Sequence, residues 1–426
     1  MGGVLQSLLG LIVLPLLAWM LAPVGQRLSG REAIRIAALG VGLQFAIAAL
    51  FLLMPALRIV FDLLAAGVAA LQAATLEGMR FAFGYLAGAP APYAVATPEN
   101  GFILAIQALP LILIMSVLSK LLYHWGILQR VVGFFAWCLK RGMGVGGPLG
   151  TSVAANIFVG MVEAPLLVRP YLRDMSRSDL FAMMTAGMGS VAGTVMALYA
   201  TIIEPKLPGA AGHIMVASIM SAPAAILIAR LMLPDTAPTA EQPTADAPDA
   251  GARAGSAMDA IAQGTADGLK LVAYVTAMLV VMIALVALLN MALGAASEPV
   301  FGTRLTVEGL LGILASPFAW LIGVPAGEML KGGELIGIKT ALNEFVAYVR
   351  LGQMDAEALS ERSRLILTYA LCGFANFGSL GIMTGGLVAM CPERSQDFVL
   401  LGPRTIVSGT LATLMTGAVV GALTWS

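Results

Sequence analysis

Asn156-Ile-Phe-Val-Gly-Met-Val-Glu-Ala-Pro165 sets a carboxylate, Glu163, in surroundings apolar enough to be membrane. A charge in lipid is costly, so Glu163 is expected to meet a ligand or an ion rather than acyl chains. The rest of the chain supports that setting. Of 426 residues, 59% are hydrophobic and 11% charged, too few polar groups to coat a soluble globule. A bilayer core of about 30 Å takes roughly 20 apolar helical residues. Val4 to Leu21, Ile34 to Leu53, Phe102 to Tyr123, Phe181 to Ile203, Ile214 to Leu233, Leu269 to Leu293, Leu365 to Met390 and Thr405 to Trp425 all qualify. The expected fold class is therefore an all-α, multi-pass membrane protein with eight transmembrane helices, the first apolar segment being a retained span.

Formal net charge is zero, which removes any reason to propose nucleic acid as a partner. Cys138, Cys372 and Cys391 lack paired spacing and read as small packing residues, with no zinc site or disulfide framework. Basic residues follow span one (Arg27, Arg31, Arg35), follow span three (Lys120, Arg130, Lys140, Arg141) and precede span four (Arg169, Arg173, Arg177). Those loops are expected on the cytoplasmic side. Residues 235–258, rich in Pro, Ala, Asp and Thr, read as a cytoplasmic linker. The chain then divides into 1–100 (N-terminal spans and an interfacial helix over Ala56 to Leu86), 101–234 (first repeat), the linker, and 259–426 (second repeat).

Two apolar stretches do not fit simple crossings. Gly142 to Pro165 carries several glycines and then Asn156 and Glu163, so a re-entrant hairpin buried in protein fits better than a span. Leu310 to Ile322, the breaker Gly323-Val-Pro-Ala-Gly-Glu328 and Met329 to Ala341 echo it as a second hairpin with Glu328 near its tip. Opposed hairpins make an inverted repeat, an architecture that places substrate near the midplane. Gly187-Met-Gly-Ser-Val-Ala-Gly193 and Gly373-Phe-Ala-Asn-Phe-Gly-Ser379 are expected to unwind spans four and seven, exposing backbone groups that bind ions and polar solutes.

Gly337-Ile-Lys-Thr-Ala-Leu-Asn-Glu-Phe-Val-Ala-Tyr348 resembles the signature of the concentrative nucleoside transporters. Ala154-Ala-Asn-Ile-Phe-Val-Gly160, Glu163-Ala-Pro-Leu, Ser221-Ala-Pro, Gly323-Val-Pro and Cys372-Gly-Phe-Ala-Asn376 fall in the family's order along nearly the whole chain. The resemblance implies a homotrimer of eight-span protomers in the cell inner membrane, moving nucleosides inward by coupling to sodium or protons, with no enzymatic step and no cofactor.

It also implies site residues. The family's first hairpin tip reads Gly-Gln-Thr-Glu-Ala-Pro and contacts the base; here it reads Gly160-Met161-Val162-Glu163-Ala164-Pro165. Glu163 carries over as a base-binding carboxylate, while Met161 and Val162 withdraw two hydrogen-bonding groups and should shift base preference. Val195 carries over as an apolar contact to the base. Glu328, Asn376 and Ser379 carry over to the ribose, with Phe374 as an aromatic neighbour that core packing would explain equally well. The sodium site carries over onto Asn156 and Ser190 with carbonyls of Val159 and Val191, but Val162 brings no side-chain oxygen. Proton coupling through Glu163 stands as the alternative. Asn343 and Glu344 read first as a helix cap after the second hairpin. A proton-coupled carrier of a nucleoside-like or modified substrate, and a channel, are the competing functions. No catalytic set for an intramembrane enzyme is present in the sequence.

Overall fold

The computed structural model describes residues 2–54, 58–93, 103–235 and 254–424, and among them all regular structure is helical. Most of the expected linker, 236–253, lies outside the described residues, as do 94–102. The N-terminal part holds α1 (Gly2–Met20), α2 (Gly30–Leu53) and α3 (Arg58–Phe83). Ser29 and Glu32 form a reciprocal capping box at the start of α2.

The first repeat holds α4 (Leu104–Gln107), α5 (Leu111–His124), α6 (Ile127–Met143), α7 (Gly147–Asn156), α8 (Glu163–Leu166), α9 (Arg177–Gly189), α10 (Gly193–Ile203) and α11 (Ala210–Met232). The second holds α12 (Ala257–Phe301), α13 (Val307–Leu321), α14 (Met329–Ala341), α15 (Glu344–Gln353), α16 (Glu361–Leu371), α17 (Phe377–Met390) and α18 (Ser395–Leu423). From α5 and from α12 onward the same series recurs. Each has a helix turning through a left-handed glycine into a short helix, a corner, a second short helix, a broken pair and a long helix. The left-handed glycines are Gly144 (φ +68°) before α7 and Gly323 (φ +107°) before α14. Such φ values favour glycine because a Cβ would crowd the following carbonyl.

This correspondence relocates the second corner. The expected tip at Gly323 to Glu328 is the counterpart of the Gly144 turn, and the counterpart of the Ile157–Val162 corner is Leu342–Asn343. There the chain leaves α14 and Asn343 enters extended backbone (φ −168°, ψ 169°), its side chain accepting from the Val346 N–H to start α15. An Asn cap, which satisfies an otherwise orphaned amide, ends a helix without glycine or proline.

Seven helical stretches among the described residues are long and apolar enough to cross a membrane, counting α4 with α5 as one and α9 with α10 as one. The halves of the expected span seven, α16 and α17, are separated by Cys372 to Asn376. The core is built on α11, almost all of whose residues are buried, and on the buried C-terminal part of α18, from Leu411 to Ala422; α18 packs on α1, α9, α11 and α16. By contrast α12 runs for 45 residues beside α5 and leaves Val280, Ile283 and Leu288 exposed. Such an apolar flank suits lipid or another subunit.

Candidate functional site

The two corners and the two breaks converge on one cavity of about 170 Å³. Gly160 to Glu163, at the end of the corner after α7, form one wall, and Thr194, Val195 and Tyr199 of α10 a second. Leu342 to Phe345 and the break residues Phe374, Asn376 and Ser379 form the opposite side, with Ile112 of α5 and Leu271, Tyr274 and Val275 of α12 closing it. Met161, Val162, Glu163, Val195, Phe374, Asn376 and Ser379 are thus brought together.

Glu328 is not among them. Its carboxylate accepts from the main-chain N–H (3.2 Å) and hydroxyl (3.1 Å) of Ser360, at the start of α16. The carboxylate that the second repeat does bring to the cavity is Glu344, buried at 5% exposure, with Oε1 accepting from the Tyr199 hydroxyl (2.7 Å) and Oε2 from Asn376 Nδ2 (2.9 Å). Asn376 meanwhile accepts from the Ser379 N–H at 2.7 Å, which starts α17. Tyr199 is held in turn by stacking on Tyr348, ring centroids 4.9 Å apart. Charge-assisted bonds of this kind fix an acceptor without exhausting its lone pairs, so Glu344 can still receive hydroxyl donors from the cavity. Of the two residues expected to cap a helix, Asn343 does so, whereas Glu344 turns its carboxylate to the cavity group of Tyr199 and Asn376.

Glu163 projects differently. It is exposed, and no basic residue pairs with it among the described residues: Arg169 donates to the Met390 carbonyl, and Lys339 to Ala370 and Thr413. Its carboxylate folds back over Gly160, where a Cβ would stand 2.1 Å from Oε2. Glu163 also lines a second cavity of about 160 Å³, with Lys120, Gln129, Thr151 and Gln263.

The candidate ion residues meet behind the tip. Asn156 Nδ2 donates to Ser190 Oγ at 2.7 Å, and that hydroxyl donates on to the carbonyls of Ala186 (3.0 Å) and Asn156 (3.3 Å). Asn156 Oδ1 is buried without a hydrogen-bond partner among the described residues, an unmet acceptor of the kind a hard cation satisfies. Val191 is buried beside Ser190 at the break, and Val159 lies at the corner, lining the second cavity. Val162 supplies no oxygen and instead packs toward Gly386 of α17, where a Cβ would stand 2.9 Å from its Cγ1.

Helices of membrane-crossing length around a cavity lined by two separate carboxylates, Glu163 and Glu344, with Asn and aromatic groups, describe a polytopic solute transporter. Residues 9–86 match the family description "Na+ dependent nucleoside transporter N-terminus", 105–206 "Nucleoside recognition" and 213–421 "Na+ dependent nucleoside transporter C-terminus". Among similar proteins are an uncharacterized transporter of Haemophilus influenzae, 37% identical over 98% of this chain and 97% of its own, and the nucleoside permease NupC of Helicobacter pylori, 35% identical over 98% and 97%. Human solute carrier family 28 member 3 is 34% identical over 90% of this chain and 55% of its own. The solved structure of CNTnw in an inward-facing substrate-bound state is 36% identical, covers 99% of this chain and 97% of its own, and superposes with a TM-score of 0.86. The chain belongs to the Na+-dependent nucleoside transporter family. It is accordingly a multi-pass inner-membrane protein of a transporter family, not of an enzyme family.

Proposed function

We propose that this protein takes up nucleosides across the inner membrane in symport with a monovalent cation, by alternating access, as a homotrimer of eight-span protomers in which α7–α8 and α14–α15 are opposed re-entrant hairpins. In this reading Glu344, Asn376 and Ser379 receive the sugar hydroxyls, Phe374 packs beside the sugar or base, and Glu163, Met161, Val162 and Val195 border the base. The observation that carries it is the placement of a fixed carboxylate, Glu344, in the same cavity as the hairpin-one tip. Vicinal hydroxyls are good donors to a carboxylate so held. Alternating access is favoured over a channel because the interior groups are single carboxylates at broken elements rather than rings along a pore.

Sodium is the proposed coupling ion, on the strength of the unpartnered Asn156 Oδ1 beside Ser190. A proton carried by Glu163 is the second reading, favoured by its contact with both cavities and its want of an ion-pair partner among the described residues. The apolar tip also favours a base different from that of Gln-Thr members, a modified nucleoside included. Uptake of labelled uridine and adenosine into proteoliposomes, under a sodium gradient and a proton gradient imposed separately, tests the whole reading. Accumulation under sodium alone supports it, accumulation under protons alone selects the Glu163 reading, and no accumulation of either nucleoside rejects the ordinary nucleosides as substrates.

A further inference from the structure

Lys339 has no exposed surface and no place in the cavity, yet it carries an ammonium into the interior of the second repeat. It sits in α14, and its Nζ donates to the Ala370 carbonyl at 3.0 Å and to Thr413 Oγ1 at 2.7 Å. Ala370 belongs to the last turn of α16, where main-chain carbonyls lack helical partners and the helix dipole is negative. Glu344 stands at the other side of the same gap: through Asn376 it meets the start of α17, the positive pole. The break in the second repeat is thus bracketed by a cation at its negative end and an anion at its positive end.

The first repeat has the same junction with one part missing. Its short helix α7 sends Asn156 to the end of α9, where Ser190 follows the last helical residue. Asn156 is neutral, and among the described residues its Oδ1 has no partner and no charged side chain donates to the Asn156–Ser190 group. Where the second repeat has an ammonium on a tether, the first has an unmet oxygen acceptor.

We infer that Lys339 is a tethered cation, holding the α16–α17 break and Glu344 in their sugar-receiving arrangement as the bound coupling cation holds the α9–α10 break, so that the exchangeable cation serves the first repeat alone. Lys339 is a positioning residue: it touches neither cavity nor substrate and acts through the Ala370 carbonyl and Glu344. The inference rests on the sugar-site reading of Glu344. Removing the ammonium leaves the α16 carbonyl end uncompensated and Glu344 as the sole ionised group at the break, which weakens the hold on hydroxyl-bearing ligands more than on ligands without them.

Binding of labelled uridine and of dideoxyuridine to purified protein, at a series of sodium concentrations, tests this for Lys339→Gln and Lys339→Met, with Glu344→Gln alongside. Lys339→Gln keeps a donor for Ala370 but no charge. It is expected to lose about ten-fold in uridine affinity and little in dideoxyuridine affinity, with a steeper dependence on sodium as a free cation takes the ammonium's place. Uridine affinity at the wild-type value in either variant, or equal losses for the two ligands, overturns the inference. If neither variant is monodisperse, Lys339→Ala purified with propylammonium decides: recovery of uridine binding with propylammonium but not with tetramethylammonium supports a tethered cation, and no recovery overturns it. Should Glu344→Gln keep the wild-type preference for uridine over dideoxyuridine, the sugar-site reading itself fails, whatever Lys339 does.

Discussion

The main-chain N–H of Phe374 donates to the carbonyl oxygen of Ser190 at 3.2 Å, joining the break of one repeat to the break of the other. Ser190 thereby belongs to two groups at once: its hydroxyl to Asn156, its carbonyl to the segment that carries Phe374 and Asn376. Gly373 makes the approach possible, since a Cβ there would come within 2.9 Å of the Met188 carbonyl oxygen. Ser190→Ala should leave the Asn156 amide unpaired at a cost of about 1–3 kcal/mol, and both the cation half-saturation and the nucleoside KM should rise by roughly ten-fold. Crossed titrations of the two ligands check this; a change in one alone would show the two groups to be independent.

The carboxylates of the second repeat separate cleanly in their expected effects. Glu344→Gln removes the charge that Tyr199 and Asn376 hold in the cavity and should reduce uptake by about a hundred-fold, the scale of losing charge-assisted bonds to a ligand. Glu328→Gln, whose contacts are to Ser360, should leave KM unchanged. Uptake kinetics of both variants, normalised to protein in the membrane, settle the contrast.

Val162→Thr exchanges a methyl for a hydroxyl at nearly constant volume, at the end of the corner that begins after Asn156. The added oxygen should lower the sodium concentration for half-maximal uptake by about ten-fold, given that hard cations gain with each oxygen ligand. A sodium titration of uptake unchanged from the parent protein would rule out a cation at this position.

Gly193 donates its N–H to the Phe158 carbonyl oxygen at 3.0 Å, and a Cβ at 193 would stand only 2.5 Å from that oxygen. Gly193→Ala should therefore push hairpin one off the α9–α10 break, costing about 1–3 kcal/mol and lowering the thermal midpoint. Gly42→Ala in α2, where nothing lies within 4 Å of a Cβ, is the matched control and should not destabilise. Thermal unfolding of both variants in detergent makes the comparison.

The helical fold is legible in the long apolar runs, and the two breaks and the Ile157–Val162 corner are legible because each interrupts such a run with residues that lipid tolerates poorly. The second corner is not. Leu342–Asn343 contains neither glycine nor proline, whereas the Gly323-Val-Pro turn, which only links α13 to α14, contains both, so local chemistry points to Glu328, which does not line the cavity, ahead of Glu344, which does. A usable signal was present: Asn343 followed directly by an acidic residue is a helix start within an otherwise apolar stretch, and a helix that restarts must first have stopped. Tyr199 gave no such signal, since its partnership with Glu344 joins residues 145 positions apart.

Thr413 and Ser408 of α18 are the partners of Lys339 and Thr185, groups synthesised well before them. During synthesis, then, the ammonium and the hydroxyl are made ahead of the helix that completes their hydrogen bonds. Completion of the interior is then a late event in biogenesis: until α18 is in place Lys339 has the Ala370 carbonyl but not the Thr413 hydroxyl, and Thr185 lacks the Ser408 hydroxyl.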